Sequence, residues 1–149
     1  MKSQTAIRGI MNNMEDSIFT KIINGEIPCH KVYEDDEVIA FLDVHPMAEG
    51  HTLVVPKRQI DHVWDLDRKT YAHLFGVTKR LGKHIRTVLQ ATRVGLVVEG
   101  FGVPHAHIHL IPIEHGDDLK RPQDMSAPID HESLAAVAEK LAVTSIFRV

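Results

Sequence analysis

Apolar residues recur at helical spacing in three parts of this chain. A stripe at every third or fourth position predicts an amphipathic helix, whose apolar face lies against the rest of the protein. Asp16 and Asp130 are suitable N-terminal caps for the first and third helices, and Gly25 is a suitable stop for the first. The stripes are Ile18, Phe19, Ile22 and Ile23; a longer one from Tyr71 to Leu89 within residues 67–90; and Leu134, Val137, Ala138 and Leu141.

Five shorter segments are apolar and rich in β-branched residues, which is typical of strands. The acidic turn 34–37 separates the first two and predicts a hairpin, and Gly100–Pro104 separates the last two. The strands are mostly consecutive and do not alternate strictly with helices, so the pattern predicts an α+β domain built on a five-stranded antiparallel sheet. The predicted strands cover residues 32–33, 38–42, 51–55, 93–99 and 105–113.

The composition narrows the class of protein. At 149 residues the chain is long enough for one domain, which we expect over residues 15–149 after a loose tail at 1–14. No stretch of eighteen residues lacks a charge, which argues against a membrane span. A net charge of −3 argues against nucleic acid or anionic lipid as partners. The single cysteine, Cys29, and the absence of a signal-peptide pattern favour the cytoplasm.

Three of the eleven histidines lie in one predicted strand, between Pro104 and Pro112. Side chains of a strand alternate between its two faces, so His105, His107 and His109 project from one face. Ala106, Ile108 and Leu110 then project from the other, into the core. Successive histidines lie roughly 6–7 Å apart along a strand. At that spacing their protonation states must differ, which is a condition for dividing nucleophile and acid roles among them.

Two other interpretations of these histidines remain open. The first is a row of solvent-facing side chains without chemistry. The second is a zinc site, because two histidines at i and i+2 are a common ligand pair. Folding would then have to bring in Glu99 or His51 as a further ligand.

The pattern of residues 105–111 resembles the signature of the histidine triad (HIT) family, in which three histidines alternate with hydrophobic residues. The resemblance extends to residues 17–28, 33–43 and 50–57, in the same order along the chain. It implies the HIT-like α+β fold. It also implies a homodimer whose two sheets join into one of ten strands, with a nucleotide site in each protomer.

The resemblance implies roles for particular residues. His107 would be the nucleophile that captures a nucleotidyl group, with His105 and His109 supplying charge and a proton around the phosphate. His51 would extend their hydrogen-bond relay, and Asp43 would bind the ribose hydroxyls. The remaining residues implied to contact a purine nucleotide are Phe19, Ile22, Phe41, Leu53, Glu99, Gly102 and Val103.

The chain also departs from the family pattern. Some members hold a structural zinc at four positions that read Ser17, Thr20, Gln59 and His105 here, so we predict no metal and no cofactor. Phe101 and Gly102 replace the usual Gln and Ser or Thr near the leaving group. Glu99 replaces a frequent Asn and disfavours highly charged substrates.

Two functions follow as hypotheses. The first is a hydrolase that cleaves at the α-phosphate of nucleoside phosphoramidates or dinucleoside polyphosphates through a nucleotidyl-histidine intermediate. Its product would be a nucleoside monophosphate. The alternative is a nucleotide-binding or interaction module on the same fold, with little or no turnover.

Overall fold

The computed structural model describes residues 14–144, so the tail predicted at 1–14 lies almost entirely outside the described residues. Within these residues, five strands and three α-helices alternate irregularly. In order they are α1 (Ile18–Ile23), β1 (Lys31–Glu34), β2 (Val38–Leu42), β3 (Thr52–Pro56), α2 (Arg68–Leu89), β4 (Arg93–Val97), β5 (Ile108–Ile113) and α3 (His131–Leu141), with short 3₁₀ helices at Val63–Asp65 and Gly116–Lys120.

The five strands form one antiparallel sheet in the order β1-β2-β3-β5-β4. Both predicted hairpins, β1–β2 and β4–β5, are present. The α+β fold and the five-stranded antiparallel sheet with one long helix are therefore confirmed. Within residues 14–144, no helix combines the length and the apolar character that crossing a bilayer requires.

The sheet is covered on both faces, which explains why every residue of β2 and β3 is buried. Alternate residues of β2 enter two separate apolar clusters. Val38, Ala40 and Leu42 join the main core beneath α2 and α3, together with Ala106, Ile108 and Leu110. Ile39 and Phe41 join a smaller cluster beneath α1. The prediction that Ala106, Ile108 and Leu110 face the core is confirmed.

Of the two predicted helix caps, Asp130 is right and Asp16 is wrong. Asp67 and Asp130 cap α2 and α3. Helix α1 is capped by Ser17 instead of Asp16, because the Ser17 hydroxyl accepts a hydrogen bond from the Thr20 amide at 3.0 Å. This shift places Ser17 inside the protein, where it is buried.

Strands β4 and β5 are shorter than predicted. β5 begins at Ile108, so His105 and His107 precede the regular strand, and β4 ends at Val97 instead of Glu99. Pairing of β3 with β5 ends at Val54 and Ile108, and beyond it Pro56 has no N–H to donate. The Ala106 amide donates instead to the Ile60 carbonyl at 2.7 Å. The histidine segment therefore enters the sheet from a loop.

Candidate functional site

Four histidines converge beneath α1, on the face of the sheet opposite α2. The ring centroids of His107 and His109 are 4.9 Å apart, and those of His51 and His109 are 5.1 Å apart. The Phe19 ring contacts His107 edge-on at 4.9 Å and His105 at 5.8 Å. The exposed fractions are 1% for His51, 0% for His105, 4% for His107 and 8% for His109. The site is thus a row of closely packed, buried imidazoles.

The hydrogen bonds of His107 determine where its proton lies. Nδ1 is 2.7 Å from the His105 carbonyl oxygen, which can only accept, so Nδ1 must carry hydrogen. In the neutral ring Nε2 is then unprotonated and holds a lone pair. This is the form in which an imidazole acts as a nucleophile.

His51 and His109 are assigned in the same way. The Met47 amide donates to Nδ1 of His51 at 3.1 Å, so the proton of neutral His51 lies on Nε2. That nitrogen is 2.9 Å from Nδ1 of His109 and donates to it. Neutral His109 consequently carries its own proton on Nε2. The Nε2 atoms of the neighbouring His107 and His109 therefore differ. Nε2 of His107 holds a lone pair, and Nε2 of His109 carries a hydrogen.

His105 uses both of its nitrogens within the protein. Nε2 lies 2.7 Å from the Pro56 carbonyl oxygen and donates to it. Nδ1 lies 2.7 Å from the Ser17 hydroxyl and accepts from it. With both nitrogens engaged and the ring fully buried, His105 presents no atom to a phosphate. This geometry argues against the role in charge and proton supply that the resemblance implied for His105.

His51, His105 and His109 favour their neutral forms. Burial lowers the pKa of His51 to about 4, against a smaller opposing effect of the Asp43 carboxylate. Burial is also the largest cause that lowers the pKa of His105 and His109. The tautomers assigned to His51, His105 and His109 therefore describe these three residues near neutral pH.

Asp43 lies beside His51, with Oδ2 3.7 Å from Nε2 of that histidine. The His45 amide donates to Oδ1 at 2.9 Å, and the Gln123 side-chain amide donates to Oδ2 at 2.9 Å. The same Gln123 nitrogen donates to the His45 carbonyl. A carboxylate can accept about four hydrogen bonds, so Asp43 retains capacity for further donors.

The side chains predicted to surround a base are close to these histidines. Phe19, Phe41 and Leu53 are buried in the cluster beneath α1, with Ile22 and Val103 packed against it. The Phe19 ring thus lies between this apolar cluster and His107. The five residues form one cluster, which contacts the row of histidines through Phe19.

The residues that differ from the family pattern before His105 lie at the surface. Glu99, Phe101 and Gly102 are exposed, and Phe101 is 92% exposed. The Glu99 carboxylate is near enough to His109 to raise its pKa slightly against the larger effect of burial. This side of the site is therefore acidic and open.

A cavity adjoins the site at His51. It has a volume of about 600 Å³ and is bordered by the β2–β3 loop, residues 124–130 and α3. His51 and His45 line it, whereas His105, His107, His109 and the Phe19 cluster do not. The cavity is thus separate from the slot predicted for a base.

One group of described residues has the composition of a metal site. Asp43, His51 and His109 each place one potential ligand atom within 4.8 Å of the others. A metal on His51 would need the lone pair of Nε2, but the Met47 amide keeps the lone pair on Nδ1 and the proton on Nε2. The hydrogen bonding therefore favours a proton relay over metal binding at these atoms.

Sequence reasoning missed the residues that set these protons. Met47 and Pro56 act through backbone groups, which the side-chain pattern does not reveal. Gln123 lies 80 positions from Asp43 in a polar segment without periodicity. A sequence signal existed only for Ser17 and Gln59, as departures from the zinc positions.

Comparison with known proteins identifies the family of the chain. Residues 24–116 match the HIT domain family. The adenosine 5′-monophosphoramidase hnt1 of Schizosaccharomyces pombe is 36% identical over 132 residues, which cover 84% of this chain and 95% of the relative. A Hit-like protein from Bartonella henselae superposes with a TM-score of 0.73 at 34% identity, covering 85% of this chain and 94% of the other. A zinc-bound histidine triad family protein from Mycobacterium smegmatis gives 0.67 at 30% identity, with coverages of 83% and 94%.

We predict that the free energy of unfolding falls as the pH decreases from about 6.5 to about 4. The folded-state pKa of His51 is about 4 and its ordinary value is 6.5, so over this range the unfolded chain binds protons that the folded protein does not. At 1.36 kcal/mol per pKa unit, His51 contributes on the order of 3 kcal/mol to this loss. Urea unfolding at a series of pH values measures it.

The variant His51→Gln is expected to flatten this pH dependence, whereas replacement of the exposed His62 by Gln should leave it unchanged. Parallel curves for the wild type and His51→Gln would contradict the assignment of a depressed pKa to His51.

Proposed function

Because the chain belongs to the histidine triad family, we propose that it is a nucleotidyl hydrolase that uses His107 as its nucleophile. It cleaves at the α-phosphate of a nucleoside phosphoramidate or dinucleoside polyphosphate and releases a nucleoside monophosphate. The observation that carries the proposal is the hydrogen bond from His107 Nδ1–H to the His105 carbonyl, which leaves the Nε2 lone pair available.

In the first step, Nε2 of His107 forms a bond to the α-phosphorus while the bond from phosphorus to the leaving group breaks. The leaving group needs one proton beyond those of the neutral rings, and His109, which is hydrogen-bonded to His51, takes up this proton from solvent when the anionic substrate binds beside it. His109 passes this proton from Nε2 to the leaving atom. The products are an N-linked nucleotidyl-histidine and a neutral amine or a protonated phosphate.

In the second step, water attacks the phosphorus and the bond to Nε2 of His107 breaks. The water proton passes to Nε2 of His109, which restores the proton that the first step used. Nucleoside monophosphate leaves and His107 regains its lone pair. Splitting one displacement at phosphorus into two lowers the barrier because each step has a good nucleophile or a good leaving group.

The nucleoside is assigned to the residues around Phe19 and Asp43. A purine base contacts the apolar cluster of Phe19, Phe41 and Leu53, together with Ile22 and Val103. The ribose hydroxyls donate to Asp43, which the His45 amide and Gln123 hold in place. Backbone N–H groups near Gly102 approach the phosphate.

The leaving-group side favours phosphoramidates over dinucleoside polyphosphates. Glu99 contributes negative charge there, and the exposed Phe101 and Gly102 supply no hydroxyl or amide side chain. A polyphosphate leaving group would meet repulsion from Glu99, whereas an amine would not. The Schizosaccharomyces pombe relative is a monophosphoramidase, which supports the same substrate class.

We predict that the wild-type protein forms a nucleotidyl adduct with an adenosine phosphoramidate and consumes it faster than a dinucleoside tetraphosphate. His107→Ala should form no adduct and lose at least about 1,000-fold in turnover, because the nucleophile is gone. Its affinity for AMP should be retained. Intact-protein mass spectrometry after quenching without acid, together with calorimetry, measures these quantities.

Replacement of the exposed His62 by Ala is the control for loss of a histidine and should leave turnover unchanged. If neither substrate is consumed and no adduct forms although AMP binds, the protein is a nucleotide-binding module and the hydrolase proposal is wrong.

We further propose that β4 pairs with β4 of a second copy and joins two sheets into one of ten strands, in the cytoplasm. β4 is an outer strand of the sheet, and Leu96 on it is 50% exposed. An uncovered edge with an exposed apolar side chain favours such pairing.

Light scattering should give a dimer mass for the wild type and a monomer mass for Leu96→Lys. The equally drastic change Met125→Lys, away from this edge, should leave the dimer intact. A monomeric wild type at micromolar concentration would contradict the proposal.

A further inference from the structure

The four residues at the family's zinc positions are joined to each other by hydrogen bonds. Gln59 Oε1 accepts from the Thr20 hydroxyl at 2.6 Å and from the Ser17 amide at 3.0 Å. The Ser17 hydroxyl is 2.7 Å from Nδ1 of His105, and Nε2 of His105 is 2.7 Å from the Pro56 carbonyl oxygen. We refer to Ser17, Thr20, Gln59 and His105 as the polar clamp.

The polar clamp does not fit a zinc ion. Structural zinc sites use thiolates and imidazoles, and this set offers one imidazole, two neutral hydroxyls and one amide. Gln59 Oε1 already accepts two hydrogen bonds, and its Nε2 donates to the Glu15 carbonyl at 2.9 Å. The Ser17 hydroxyl is engaged with the Thr20 amide as well as with His105.

The direction of each hydrogen bond in the polar clamp follows from its partners. Thr20 gives its hydroxyl proton to Gln59, so it does not compete for Nδ1 of His105, which it approaches only to 3.5 Å. Ser17 accepts from the Thr20 amide and gives its single proton to His105 over the shortest contact that it makes. His105 then carries its own proton on Nε2, where the Pro56 carbonyl accepts it. No proton in the set is left undetermined.

We propose that Ser17, Thr20 and Gln59 are positioning residues that hold the nucleophile His107 through His105 and that they do so without a metal ion. The inference rests on the proposed role of His107. The clamp fixes the position of His105, and the His105 carbonyl in turn accepts a hydrogen bond from Nδ1 of His107. The clamp links α1, the segment after β3 and the histidine loop, which are the parts of the chain around the nucleophile.

The geometry explains why this positioning is needed. His105 and His107 precede β5, so ladder hydrogen bonds do not fix them as they fix His109. His105 is fully buried, and loss of its side-chain partners would leave the loop on which His107 lies held mainly by the hydrogen bond from the Ala106 amide to the Ile60 carbonyl. A displacement of about 1 Å at a reacting atom can reduce a rate by about 100-fold.

The test uses Thr20→Val, which removes the hydroxyl that bonds Gln59, and Ser17→Ala, which removes the donor to His105 together with the side-chain cap of α1. Both should slow formation of the nucleotidyl adduct by about 10- to 100-fold. The dissociation constant of Thr20→Val for AMP should stay within about twofold, because the Thr20 hydroxyl is not among the groups proposed to contact the nucleotide. Ser17→Thr keeps the hydroxyl and should recover most of the rate. Replacement of the exposed Ser126 by Ala is the matched control and should have no effect.

Two further measurements separate this inference from a purely structural role and from the proposed function. Chelator or added zinc should leave the thermal midpoint of the wild type unchanged, and a fall with chelator would overturn the metal-free clamp. Nitrogen-15 spectra of the imidazoles should show the Nε2–H form of His105 in the wild type and in Ser17→Ala, because the Pro56 carbonyl accepts that proton in both. In Ser17→Ala the Nδ1 signal of His105 should move to that of a nitrogen without a hydrogen-bond donor, because the Ser17 hydroxyl is gone. Wild-type adduct rates in both Ser17→Ala and Thr20→Val would also overturn the inference. If the wild type forms no adduct, the proposed function fails, and the nitrogen-15 spectra alone decide whether the clamp holds His105.

Discussion

The site depends on three backbone groups whose polarity cannot change. The Met47 N–H can only donate, and the Pro56 and His105 carbonyls can only accept. Each contacts one nitrogen of a buried imidazole and so decides where the ring proton lies. Because an unmade hydrogen bond in a buried site costs about 1–3 kcal/mol, the other tautomers are strongly disfavoured. Four chemically identical side chains thereby acquire distinct and complementary roles.

The Pro56 carbonyl reaches the site because of where the pairing of β3 with β5 ends. Pairing of β3 with β5 ends before Pro56, which has no amide hydrogen to continue it. The Pro56 carbonyl is therefore available to His105, and the histidine segment turns away from the sheet beneath α1. Phe19 on α1 packs against His105 and His107 and closes the site from above. A local limit on strand pairing thus creates the environment of the proposed nucleophile.

The sequence predicted the parts of this arrangement that depend on local periodicity. The two faces of the histidine segment follow from strand alternation, as do the core positions of Ala106, Ile108 and Leu110. The helical stripes also predicted the long helix and its Asp67 boundary. Strand ends were less predictable, because β5 begins where long-range pairing with β3 begins. The same limit applies to the cap of α1, which moved to Ser17 because that hydroxyl also reaches His105 from 88 positions away. The protonation pattern was the least predictable feature, because Met47, Pro56 and Gln123 come close to the site only after folding.

The most direct test of this account is nitrogen-15 spectroscopy of the histidine side chains at neutral pH in the absence of substrate. The account predicts a proton on Nε2 of His51, His105 and His109, and an unprotonated Nε2 with a protonated Nδ1 only on His107 among these four. A protonated Nε2 on neutral His107, or a proton on Nδ1 of His51, would contradict it.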